Sequence, residues 1–209
     1  MALPRLNEEP RYEMTIPSTG QTVMYRPFLV KEQKILLMAL ESQDRKNIMT
    51  SILDTITTCV PDVDVKKLAT FDVDYIFTQI RTKAVGETST IVLPCHQCET
   101  QNEVSVNLDD IKVNTPKIDM TVKLTDEMSV SLKYPNYDYY LRNEKMLAED
   151  TTATELALEL MIACLDAVET EEERIAIADE SREEVRAFIE SLTTSQFEKL
   201  TEFMASIPT

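Results

Sequence analysis

The apolar and polar residues of this chain change period part-way along it. From Gly86 to Tyr134 the apolar residues alternate: Ile91 and Leu93, then Val104, Val106 and Leu108, then Met120, Val122 and Leu124, then Met128, Val130 and Leu132. Polar residues such as Ser105, Asn107, Thr121, Lys123, Ser129 and Ser131 fill the gaps. A period of two marks half-buried strands, because successive strand side chains point to opposite faces. The pattern predicts two β-hairpins. The first carries Cys95-His96-Gln97-Cys98 at its tip, and the second turns at Thr125-Asp126-Glu127.

On either side of this stretch the spacing is mostly helical. Residues 1–11, with two prolines and several charges, read as an extended arm. Tyr12 to Ile16 and Thr22 to Tyr25 alternate around Pro17-Ser18-Thr19-Gly20, which predicts a further hairpin with Gly20 free to take a positive φ. Arg26-Pro27-Phe28 then leads into a helix from about Val30 to Ser42. Its centre, Ile35-Leu36-Leu37-Met38-Ala39-Leu40, leaves no polar face for two turns. A helix apolar all round is expected to be buried, so the pattern predicts a central core helix. The alternative is that one side stays open for a partner's helix, with Leu37 and Met38 as the candidate partner-binding residues. Ile48, Met49, Ile52, Leu53 and Ile56 give a second helix ending near Cys59 and stopped by Pro61. Val73, Ile76, Phe77 and Ile80 give a third, about Asp72 to Lys83, and the three are expected to pack together beneath the sheet.

Past the strands, Tyr134-Pro135-Asn136-Tyr137-Asp138-Tyr139-Tyr140 holds four of the seven tyrosines, suited to the rim of a core or to an interface. Thr152 with Glu155, Thr170 with Glu173, Ser181 with Glu184 and Ser195 with Glu198 all fit the capping box of a helix start. The stripes that follow are Leu156, Leu160, Met161, Cys164, Leu165 and Val168, then Val185, Phe188, Ile189 and Leu192, then Leu200, Phe203, Met204 and Ile207. They predict a small helical bundle, dry on one side. The fold class is therefore α+β: an N-terminal hairpin and three-helix region over 1–85, a β insert with a CxxC tip over 86–135, and an acidic helical region over 136–209, in one continuous globular unit.

Composition narrows the function. With 209 residues, 43% of them apolar, the chain can bury a core without staples. Only Gly20 and Gly86 are glycines, which excludes phosphate-cradling loops and dinucleotide fingerprints. No apolar run reaches the roughly 18 residues of a membrane span, and the start lacks a signal-peptide core. No membrane partner is expected, and the protein is expected to work inside a cell. The net charge is −16, and the stretch from Glu144 onward holds 17 acidic against 5 basic residues. Nucleic acid is excluded as a partner, since its binding relies on Lys and Arg. The acidity reads first as a solvated helical face, because the charges sit opposite the apolar stripes; a surface awaiting a basic partner is the alternative.

No catalytic constellation is present in the pattern. The lone histidine is His96, so Ser-His or Cys-His chemistry would have to run through the hairpin tip. Cys95 and Cys98 have the spacing of half a zinc knuckle and are the candidate metal ligands. A structural zinc takes four ligands and a second pair at that spacing is missing, so the isolated chain is expected to hold no stoichiometric zinc unless two tips meet. Cys59 and Cys164 lie on apolar stripes and read as small buried hydrophobes. No cofactor other than zinc is in question. Four cysteines without a regular framework fit a reducing compartment.

The stretch Tyr12 to Gly20, followed by Tyr25-Arg26-Pro27-Phe28-Leu29-Val30-Lys31-Glu32, resembles the start of the T4-type phage baseplate hub proteins. Leu93-Pro94-Cys95-His96-Gln97-Cys98 through Asn102-Glu103-Val104, Leu108 to Ile111, and Val122 to Leu124 through Lys133-Tyr134-Pro135 are similar to the middle of that family. The resemblance covers about Leu3 to Arg142 well and the remainder generally. It implies a non-enzymatic role in building the hub of a contractile tail. The chain would be an assembly factor that binds a hub or tape-measure protein as a chaperone in the host cytoplasm, or a minor hub subunit retained in the virion's tail baseplate. A zinc- or thiol-dependent enzyme is the reading from another class.

Overall fold

The computed structural model describes residues 10–115, 117–148 and 150–208. The extended arm expected over 1–11 lies outside the described residues except for Pro10 and Arg11. The chain divides into two compact units, Met1–Val113 and Asn114–Thr209.

Unit 1 opens with β1 (Tyr12–Thr15) and β2 (Thr22–Tyr25), paired antiparallel with Met14 opposite Val23. Gly20 closes the turn at φ 70°, its N–H donating to Ile16 O at 2.8 Å, as the sequence predicts. The alternation buries Met14, Ile16, Val23 and Tyr25. Three helices follow: α1 (Val30–Ser42), α2 (Arg45–Cys59) and α3 (Thr70–Val85). Asp44 caps α2 by accepting from the Lys46 and Asn47 amides, and the helix ends before Pro61. The core is built from the hairpin with Ile56, Cys59, Val60, Val65, Leu68, Phe71, Val73, Ile76 and Ile80, contributed by α2, α3 and the segment between them. Asp72, fully buried in the first turn of α3, accepts the Ser18 amide at 2.9 Å and the Ser18 hydroxyl, tying the first hairpin to α3. Burial pushes the Asp72 carboxyl up more than these bonds hold it down.

Two expectations fail in unit 1. The first helix is not a core helix: only Glu32 and Ala39 of α1 are buried, and most of its apolar run faces solvent. The hydrophobic run shows how much cover the helix wants, and α2, on which it packs, supplies one side of it. The hairpin of β3 (Thr88–Pro94) and β4 (Gln101–Asn107) forms with the CxxC at its tip, as predicted, and pairs Ile91 with Val104, but its alternating residues are largely exposed. It is a two-stranded ribbon, with Ile91, Leu93 and Val104 left exposed among the described residues. Its base is fixed by Lys83 of α3, which pairs with Glu87 (2.8 Å) and Asp109 (3.1 Å).

Unit 2 contains the second predicted hairpin, β5 (Thr121–Lys123) and β6 (Met128–Leu132). The 86–135 insert is thus divided, one hairpin falling in each unit. Short helices α4 (Tyr137–Arg142) and α5 (Glu144–Leu147) lead to α6 (Ala153–Cys164), capped by Thr152. The helical bundle expected next is interrupted by two strands, β7 (Leu165–Thr170) and β8 (Arg174–Ala176), which extend the sheet in the order β5-β6-β7-β8. Leu165 and Val168, expected on a helix, sit in β7, where Val168 faces Val130 across the ladder. No glycine or proline separates α6 from β7, so the local pattern runs on while pairing with β6 decides the strand. Thr170 and Glu173 form no helix start. The Glu173 amide donates to Thr170 Oγ1 at 3.2 Å in the β7–β8 turn, because a hydroxyl can hold an amide three residues on in either setting. Ser181 and Glu184 do cap α7 (Arg182–Glu190) with a capping box. The last helix, α8 (Thr194–Ser206), is capped by Thr193 with Gln196, not by Ser195 with Glu198. One face of the sheet, with α6, α7 and α8, encloses Leu124, Val130, Leu132, Met161, Leu165, Val185, Ile189, Leu200 and Phe203. The α+β class stands, as elements of both kinds occur in both units.

Candidate functional site

Among the described residues, α1 carries five exposed large apolar side chains. Glu32 holds the start of the helix: it accepts the Leu29 amide at 2.7 Å and Arg26 Nη2 at 3.1 Å, both partners of the ion pair being nearly enclosed. Burial pushes the Glu32 carboxyl up, but the Leu29 amide and the Arg26 guanidinium more than offset this and hold it below the usual carboxylate range. The helix is therefore pinned by its first turn and covered along the side of Ala39 and Leu36, leaving the other side open. Val30 is 80% exposed, Leu37 53% and Met38 59%, with Ile35 and Leu40 more than half exposed as well. Leu36 is half-buried. Leu37 and Met38, the candidate partner-binding residues, are thus both on the open side. The sequence pattern does not single out Val30; it lies two helical turns before Leu37, at i and i+7, a position that spacing alone could have included. The Ile48, Met49, Ile52 and Leu53 stripe of α2 is only half-buried, while Ser51, Thr55, Ile56 and Cys59 turn inward.

The second feature is the connection between β3 and β4. The Cys95 amide donates to Thr100 O and the Glu99 amide to Cys95 O, both at 2.9 Å. Glu99, directly after Cys98, takes a left-handed φ of 55°. Cys98 is exposed and Cys95 half-buried, and both are free thiols. Cys98 Sγ lies 3.2 Å from Thr100 Oγ1. The Thr100 hydroxyl and amide, with Cys95, hold the Cys98 thiol below its ordinary pKa. His96 is exposed beside them. Among the described residues no three His, Cys, Asp or Glu side chains are grouped to hold a metal ion. Cys59 and Cys164 are buried as expected, and burial pushes the Cys164 thiol up to about 12.

The concave places offer little chemistry. A groove of about 310 Å³ against β7, β8 and α7 is lined by Val168, Ile175, Ile177, Val185 and Phe188. Of its polar residues, Glu184 is committed to the α7 cap and Thr170 to the β7–β8 turn. A buried carboxylate, Glu159 of α6, is the polar centre of unit 2. Its Oε2 accepts from Asn143 Nδ2 (2.7 Å) and Tyr139 Oη (3.1 Å) and pairs with Arg182. Sequence reasoning missed it; the signal was an acid inside the otherwise apolar run of Leu156 to Leu165. Tyr139 serves this network and Tyr134 stacks on Phe203 at 6.3 Å, so these two tyrosines pack at the rim of the core.

The family model described as T4 bacteriophage base plate protein matches residues 9–209. The chain belongs to that family. The resemblance carried by the first two thirds of the sequence therefore extends through the helical remainder. A T4-type base plate protein works among other phage structural proteins, and the family is a structural one, tied to the phage tail. No curated protein and no solved structure matches the chain. No described helix of this base plate protein is long and apolar enough to cross a membrane.

Proposed function

We propose that this base plate protein is an assembly factor of the tail hub, binding a hub or tape-measure protein as a chaperone during tail morphogenesis. The observation that carries the reading is the open apolar face of α1. Five large apolar side chains, Val30, Ile35, Leu37, Met38 and Leu40, stand at least half exposed on one well-formed helix. Covering the exposed half of each contributes on the order of 1 kcal/mol. The five project over more than half of the helix circumference, so one apolar helix or strand covers about three of them, such as Val30, Leu37 and Met38, and gains roughly 3 kcal/mol before ordering costs. A pinned first turn keeps the helix formed while it waits, which lowers that cost.

The test sets Leu37→Asp and Met38→Asp beside Leu36→Asp. At the two open positions a charge is solvated in the free protein, so thermal melts stay near wild type. With the partner in place the same charge is buried, and recovery of the partner in pull-downs of tagged protein from infected cells should drop at least tenfold. Leu36→Asp lowers the melt itself. Full partner recovery by both open-face variants would overturn the assignment of this surface. Mass spectrometry of purified virions beside infected-cell lysate separates the two roles: a chaperone is present in the lysate and depleted from virions. A protein retained at constant stoichiometry in virions is a structural subunit of the hub.

A further inference from the structure

The β3–β4 hairpin combines two features at one end of one element. Its tip is a preformed pair of thiols. The left-handed Glu99 turns the chain back immediately after Cys98, so that the Thr100 hydroxyl and amide address the Cys98 sulfur while Cys95 stays bonded through its backbone to Thr100 and Glu99. Two cysteines three apart in a tight turn have the ligand spacing of half a zinc site. Its shaft has one apolar face. Ile91, Leu93, Val104 and Val106 share that face by strand alternation and register, and Ile91 is 42%, Leu93 49% and Val104 39% exposed. The same alternation continues from Ile91 and Leu93 to Cys95, opposite Thr100.

We propose that this hairpin is a zinc half-site, completed by the same hairpin of a second copy of the chain. The ligand count selects the occupant. A structural zinc is tetrahedral with four ligands, each chain offers two thiolates, and no third ligand group is assembled among the described residues. Two identical halves related by a two-fold axis supply four sulfurs, and the same axis lays the Ile91, Leu93 and Val104 face of one hairpin against its equivalent. Binding converts one zinc ion and four thiols into a tetrathiolate zinc centre of charge −2, releasing four protons. His96, exposed between the two cysteines, is not needed as a ligand.

The experiment uses the full chain, purified reduced and metal-free, then given zinc or cobalt. The expected result is one metal per two chains by elemental analysis, a dimer mass by light scattering, and the visible spectrum of a cobalt tetrathiolate. Chelation should return the monomer. Cys95→Ser and Cys98→Ser, at a tip that packs on no core, should keep the circular dichroism of the wild type and lose both metal and dimer. One zinc per monomeric chain, a chain that stays monomeric and metal-free, metal retained only with a different base plate protein, or a dimer that survives both substitutions would each overturn the proposal.

Discussion

Glu159 is a point at which unit 2 can be weakened by a known mechanism. The side chain is 2% exposed, and one oxygen accepts from Asn143 and Tyr139 and pairs with Arg182. Glu159→Ala leaves the buried Asn143 amide without this acceptor, at about 1–3 kcal/mol. It also removes packed methylenes, worth roughly 1 kcal/mol. Breaking a fully buried ion pair costs about 3–5 kcal/mol. Arg182, however, is 48% exposed and regains water, so its share is far smaller. The expected loss is about 3 kcal/mol for Glu159→Ala. Glu159→Gln keeps an acceptor for Asn143 and Tyr139 and is expected to lose about 1 kcal/mol. At about 4–8 °C per kcal/mol for a unit of this size, the two variants should separate clearly in Tm. The near-ultraviolet dichroism of Tyr134, Tyr137, Tyr139 and Tyr140 reports on this unit. Acid adds a second readout. Burial pushes the Glu159 carboxyl up, but Arg182 and Asn143 more than offset this and hold it below the usual range. A lowered folded pKa contributes stability above the unfolded value of about 4.3, and loses it as pH falls through the folded one. The advantage of wild type over Glu159→Gln should therefore be full at neutral pH and shrink below about pH 4. Equal losses for Ala and Gln, or a difference from wild type that does not change with acid, would refute the network's role.

Two further outcomes follow from local geometry. With metal chelated and thiols reduced, Cys95 and Cys98 should react at once with an aromatic disulfide reagent, whereas Cys59 and Cys164 should react only as the protein unfolds; a single phase for all four would contradict their burial. Thr193→Ala should cost about 1 kcal/mol in chemical denaturation, since its hydroxyl caps α8, while Ser195→Ala should cost little. Equal effects would mean that the helix starts elsewhere.

These residues also mark what could be read from the chain. The three hairpins were legible because each alternating run is bounded by turn chemistry: Pro17 to Gly20, the CxxC connection, and Thr125 to Glu127. The end of α2 was legible because Pro61 punctuates it, whereas α3 runs past the expected Lys83 to Val85, before Gly86. The strand β7 was not legible, because Leu160 to Leu165 runs from helix into strand with nothing to interrupt it, and the decision is made by β6, distant in sequence. The burial of α1 was misjudged for a different reason. Six apolar residues in a row report a demand for cover, and only three-dimensional placement shows that the chain itself meets it on one side. The candidate residues Cys95, Cys98, Leu37 and Met38 were legible by type, but the left-handed turn at Glu99 and the exposure of the helix face were not.

The Ser18–Asp72 joint bears on the order of events during synthesis. It links residues 54 positions apart, so the first hairpin, though made early, is not locked down until α3 has left the ribosome. The contacts described for unit 1 are complete once the chain has reached Val113, before the residues of β7, α7 and α8 exist. The open face of α1 is thus on display while nearly half of the polypeptide is still being translated. A helix with an uncovered apolar face is open to binding from that moment, and open to unwanted association over the same interval.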